Sequence, residues 1–160
     1  MATGLEALPW RHVLTLPTEP SAVRVARETA EQVLTEWGIG VRHPAADPAL
    51  LILSELVTNS VRHAAAVSPT VTVVYAAGPD CLVLAVHDRH PYRPRLCGPL
   101  ADGGRGLVTV MELVRALGGT AVVRADGDGR GKSVWITLPL RSSGEVLRGT
   151  PASSPDLGNC

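Results

Sequence analysis

A chain of 160 residues, 45% of them hydrophobic, is long enough to bury one sizeable core. Fifteen basic and fifteen acidic residues give a formal net charge of zero. That balance excludes a strongly basic nucleic-acid surface and attraction to anionic lipid. Phe is absent and aromatics make up only 3%, so Val, Leu, Ile and Ala must build the interior. Cys81, Cys97 and Cys160 are odd in number and lack C-x-x-C spacing, which points to reduced thiols rather than a zinc site or disulfide framework. The opening "MATGLEALPWRH" has no apolar signal region, and no apolar run reaches membrane-spanning length. The expectation is a cytoplasmic protein with no membrane segment.

In chain order, "RHVLTL" (11–16) alternates weakly and reads as a short first strand. "PTEPSAVRVARETAEQVLTEWG" follows, with Thr18 or Ser21 as expected caps and Pro20 in the first turn. Its apolar residues Val23, Ala26, Ala30, Val33, Leu34 and Trp37 recur at helical spacing, and Gly38 closes the pattern. After the loop "VRHPAADP", Asp47 is expected to cap a second helix running to about Ala65. "TVTVVYA" (70–76) and "CLVLAVHD" (81–88) are aliphatic and rich in β-branched residues, and "AGPD" between them predicts a hairpin. The segment 89–106 carries Pro, Gly and Arg without periodicity, which marks a lid or binding loop. "LVTVMELVRALGG" predicts a third helix; "TAVVRA" and "KSVWITLPL" predict two strands joined by a tight "DGDGRG" turn. That turn imitates a Walker A loop, but only three residues separate Gly127 from Gly131 where four are needed, and a strand follows rather than a helix. The order β-α-α-β-β-lid-α-β-β predicts an α+β fold: a two-layer sandwich whose mixed or antiparallel sheet is covered on one face by helices. Residues 1–10 read as a flexible N-terminus, 11–140 as one domain, and the Ser/Pro/Gly-rich 141–160 as a disordered tail.

Chemistry concentrates in the second helix. At about 100° per residue, Leu50, Leu53, Val57, Val61 and Ala64 form a packing stripe, while Glu55 and Asn59 sit one turn apart on roughly the opposite side. A solvated face is the plain explanation. Against it, Leu51 and Ile52 flank the same side and no i,i+4 salt-bridge ladder accompanies the pair. A Glu/Asn pair at that spacing offers oxygen ligands and a base, which suits Mg²⁺ and phosphate chemistry. His63 falls near this face, and no second histidine or cysteine has metal-ligand spacing to it. Asp88 continues the alternation of Leu82, Leu84 and Val86, so it is either a strand exit or a pocket-floor acceptor for an N–H of a ligand. "GGRGL" opens the third helix with glycines that let backbone N–H groups approach an anion.

Taken in order, "ELVTNSVRHA", "VHDRHPYRP", "GGRGL" and "GKSVWITLPL" resemble the GHKL ATP-binding fold of gyrase, heat-shock chaperones, histidine kinases and mismatch-repair ATPases. From about Thr15 to Leu140 the chain is most similar to the small anti-sigma-factor serine/threonine-protein kinases. The resemblance implies ATP and Mg²⁺ as cofactors, with Asn59 ligating the metal. Glu55 would be the catalytic base towards a serine on a partner protein, and Asp88 the acceptor for the adenine amino group. Gly104, Arg105 and Gly106 would meet the phosphates, and Ser133 would lie near the adenine. Partners would be a sigma factor or its antagonist protein, with a homodimer as the assembly; the alternative is a catalytically silent module that regulates transcription by sequestration. One departure stands out: the glycines that usually follow the Asp of the second motif are replaced here by "RHPYRP".

Overall fold

The computed structural model describes residues 7–94, 96 and 105–141. Gly104, Cys97, Cys160 and the tail expected beyond Arg141 lie outside the described residues, as does the Arg105 side chain. Five strands, β1 (Trp10–Pro17), β2 (Thr70–Ala77), β3 (Cys81–Asp88), β4 (Thr120–Ala125) and β5 (Lys132–Pro139), form one sheet in the order β1-β2-β3-β5-β4. Every neighbouring pair is antiparallel. Helices α1 (Ser21–Glu36), α2 (Ala46–Ala64) and α3 (Arg105–Ala116) pack on one face, as the α+β expectation required.

The register explains why the helices choose that face. Successive residues of a strand point to opposite sides, and antiparallel pairing lines up their inward members across the sheet. Leu14, Val73, Val86, Val134 and Val123 form one rung. His12, Tyr75, Leu84, Ile136 and Ala121 form the next. Nearly all these positions are aliphatic and join the buried core, so burying them against helices removes a continuous apolar surface from water. The outward face keeps Val13 and Val122 exposed, and Arg124 lies 6.0 Å over the ring of Trp135.

α1 approaches the sheet through small residues, Ala22, Ala26 and Ala30, with Val33 and Leu34 completing its buried side. Its solvent side carries the exposed i,i+4 pairs Arg24–Glu28 and Arg27–Glu31. Neither expected side-chain cap forms: Pro20 occupies the cap position of α1 in a helical conformation, and Ala45 that of α2. Asp47 instead falls inside the first turn of α2, where its charge still meets the positive end of the helix dipole. The first helix ends as expected at Gly38, with φ +75°, and Trp37 stacks on Trp10 at 6.5 Å between ring centroids. α2 buries a wider arc than one stripe: Ile52, Leu56 and Ser60 are as covered as Leu53 and Val57, because α2 packs against both other helices and β3.

Tyr75 is fully buried, and its hydroxyl donates to the Ala26 carbonyl at 2.7 Å, tying β2 to α1. Burial pushes the phenol well above its ordinary value of 10.0. Because the folded-state value is raised, the stability this group contributes is complete below about pH 10 and falls as the pH rises above it. Tyr75→Phe should lower stability by about 1 kcal/mol at neutral pH. In denaturant titrations it should also lose part of the alkaline destabilisation seen in the unaltered chain.

Candidate functional site

The inward row does not stay apolar to its end. On β3 the positions after Leu84 and Val86 bring Asp88 inward, and its partner across the pair is Lys132, which begins the inward series Val134, Ile136, Leu138 on β5. Asp88 is only 2% exposed. A buried carboxylate needs compensation, and three donors supply it. Lys132 Nζ donates to Oδ1 at 2.6 Å, and the His90 N–H donates to the same oxygen at 3.0 Å. The Ser60 hydroxyl of α2 donates to Oδ2 at 2.7 Å.

A second network outside the sheet holds this pair in register. His87, on the outward face, bonds Asp126 at 2.8 Å. Arg89 donates to Asp126 at 2.7 Å and to Asp128 at 2.8 Å. The hydrogen bond from Arg89 holds the Asp128 carboxyl below its usual range and raises the guanidinium in turn. The β4–β5 turn is thereby pinned to the exit of β3. Gly131, just before Lys132, has no room for a β-carbon, which would strike the Asp126 carboxylate and the Asp88 carbonyl. The glycine is what lets the turn close tightly enough to set Lys132 opposite Asp88.

Above the ion pair lies a cavity of about 420 Å³, within the range of small-ligand sites. Leu56, Val86, Leu107 and Val134 give it apolar walls, Asp88 and Lys132 form its polar floor, and Asn59 and His63 of α2 line one side. His90 and Tyr92, from the segment after β3, stand at the other. A cavity with apolar walls and a carboxylate and an ammonium at its floor can take a heterocycle and read its edge by hydrogen bonds.

Of the residues singled out in the sequence, Asn59 and Asp88 meet in this cavity, as does His63. Glu55 is not among its lining residues; it sits one turn earlier on α2, against the start of α3. A β-carbon on Gly106 would meet only the flexible end of Glu55, so the Glu55 carboxylate occupies the space a side chain at Gly106 would take. The carboxylate thus rests at the positive end of α3. Arg105 begins α3. Ser133 pairs with His87 on the outward row and faces away from the cavity. Lys132, one residue earlier, occupies the inward position instead. Ser60, Lys132, His90 and Tyr92 escaped the sequence reading. Lys132 had a signal: it continues the alternation of Val134, Ile136 and Leu138, and a lysine in an inward series needs a buried acid opposite.

Among the described residues, no group of three or more His, Cys, Asp or Glu can hold a metal ion by itself. No helix among them is long and apolar enough to cross a membrane.

Comparison with known proteins agrees with this geometry. A model of the histidine kinase-like ATPase domain matches residues 16–138. No curated protein matches the chain. Among solved structures, the histidine kinase domain of the blue-light activated histidine kinase from Erythrobacter litoralis EL346 superposes with a TM-score of 0.50 at 21% identity. That alignment covers 78% of this chain and 62% of that one, so this chain spans less than two thirds of its neighbour, and the likeness is one of fold. The mycobacterial sensor histidine kinase MprB aligns at 26% identity over 56% of this chain and 71% of that one, with a TM-score of 0.39.

Ser60→Ala should cost about 2 kcal/mol, the scale of a buried hydrogen bond to a charged group. The urea midpoint should fall with the slope of the transition unchanged. An unaltered midpoint would mean that the Asp88 carboxylate does not depend on α2.

Proposed function

This chain belongs to the histidine kinase-like ATPase domain family, and on that premise we propose that it binds Mg-ATP in the Asp88 cavity and phosphorylates a serine on a partner protein. In this reading it is a regulatory kinase of the anti-sigma-factor type, acting on a sigma factor's antagonist or holding the sigma factor itself. One observation carries the proposal: a buried carboxylate floors an apolar slot of about 420 Å³ whose wall holds Asn59, with Glu55 one helical turn away.

The residues present fit the nucleotide and its ion. Asp88 keeps one free lone pair on Oδ2 for an amino N–H, while Leu56, Val86 and Val134 offer apolar contact to a ring. The Asn59 amide oxygen is a hard ligand of the kind Mg²⁺ takes from proteins when phosphate oxygens and water complete its shell. When bound, the ion neutralises charge on the phosphates. The N-terminal turn of α3, with Gly106, presents backbone N–H groups and the positive end of its dipole towards anionic groups. In this reading Glu55, beside that turn, orients a serine hydroxyl and takes its proton as the hydroxyl oxygen bonds to the γ-phosphorus and the bridging oxygen leaves.

Sequestration without phosphoryl transfer is the second reading, and the position of Glu55 outside the cavity lining favours it. The two part at one substitution. Glu55→Gln should bind Mg-ATP within about twofold of the unaltered chain yet lose phosphate transfer to the partner by 100-fold or more. Intact regulation of the partner by that variant would sink the kinase reading. Calorimetry with ATP should show Asn59→Ala losing about tenfold in affinity with Mg²⁺ present and little in its absence; equal titrations for both proteins would remove Asn59 from the site. Gly106→Ala should leave stability within about 0.5 kcal/mol, since only the flexible end of Glu55 must move. Transfer should fall all the same, because that end is the proposed base.

A further inference from the structure

Resting on the nucleotide reading above, we infer that Lys132 is a second base-reading residue, donating to the ring nitrogen N1 of adenine beside the amino group that Asp88 accepts.

The cavity floor carries a small, countable set of donors and acceptors. A carboxylate has about four acceptor positions, two on each oxygen. Oδ1 of Asp88 is filled by Lys132 and the His90 N–H, and Oδ2 takes Ser60 and keeps one position. An ammonium has three donors. Lys132 gives one to Asp88, and its side chain is only 12% exposed. Among the described residues no other partner meets it, and it lines the cavity beside the carboxylate. Unmade hydrogen bonds on a mostly buried cation are costly. The floor therefore presents one acceptor and, next to it, unused donors, fixed side by side because the two residues are direct cross-strand partners.

A base edge that fits must offer one N–H and an adjacent acceptor. Adenine does so with its amino group and N1. Guanine also sets an N–H beside an acceptor, N1–H next to O6, but its 2-amino group adds a second donor, which would be stranded against a carboxylate with a single vacancy. Ser133 cannot take the role, since it points to the other face of the sheet. The charge on Lys132 makes its bond to a ring acceptor stronger than one from a hydroxyl or water.

The test compares ATP with 1-deaza-ATP, in which N1 is replaced by C–H and the amino group is kept, by direct calorimetry with Mg²⁺. The unaltered chain should prefer ATP by roughly tenfold to a hundredfold, the scale of one charge-assisted hydrogen bond. Lys132→Gln keeps an N–H for Asp88 on a side chain one atom shorter, which cannot also reach the base. Its preference should collapse to within about threefold through loss of ATP affinity. Lys132→Met serves as the second variant and should behave alike. If the unaltered chain binds ATP and 1-deaza-ATP equally, the assignment of Lys132 fails while the nucleotide reading stands. A variant that keeps the full preference for ATP also overturns it. Absence of binding to either nucleotide by the unaltered chain removes both readings together.

Discussion

A buried ion pair at the end of an apolar row is the constraint on which the remainder of this molecule turns. Asp88 and Lys132 sit where the inward face of the sheet runs out from under the helices. Taking two charges out of water is unfavourable unless the geometry is good and the remaining hydrogen-bonding positions are met. The surrounding elements meet most of them: Ser60 from α2, a backbone N–H from the turn after β3, and a hairpin held down by Arg89, His87 and Asp126. What they leave unmet faces the cavity. Among the described residues, the floor of this cavity is thus a buried ion pair whose hydrogen-bonding positions are incompletely met.

The helix layer contributes through α2. Its packing arc is wide because it lies between two helices and over a strand, and that leaves only a narrow sector for polar side chains. Ser60, inside the buried arc, reaches the floor, while Asn59 lines the wall and Glu55 meets the opening turn of α3. One helix thus braces the floor of the cavity, lines its wall and, one turn earlier, meets the start of α3. The absence of a side chain at Gly106 allows the third contact, since any β-carbon there would displace the carboxylate.

Much of this was legible in the residues. Period-two alternation in "CLVLAVHD" and "KSVWITLPL" located the strands and the inward direction of Asp88, and helical spacing located all three helices. The expected caps at Thr18, Ser21 and Asp47 did not form, because Pro20 and Ala45, which have no side-chain acceptor, occupy the cap positions of α1 and α2. Ser133 was placed one residue too far along: a one-residue shift in a strand moves a side chain to the opposite face, and only the register with β3 settles which of Lys132 and Ser133 points inward. Ser60 could not be read as a partner of Asp88, since they lie 28 residues apart and meet through packing alone. Local pattern carries direction and period; it does not carry distance between elements.

The strand order has a consequence for how the molecule matures. β2–β3 and β4–β5 are joined by short turns, but β3 and β5 are not consecutive, and the contact between Asp88 and Lys132 spans 44 residues. Closing that loop is entropically costlier than forming either hairpin, and non-local pairings of this kind come late in assembly. The floor of the cavity therefore exists only when the two halves of the sheet have zipped together. Competence to bind and completion of the fold are one cooperative event, so occupancy of the cavity must register as resistance of the whole sheet to unfolding rather than as the stiffening of a local loop.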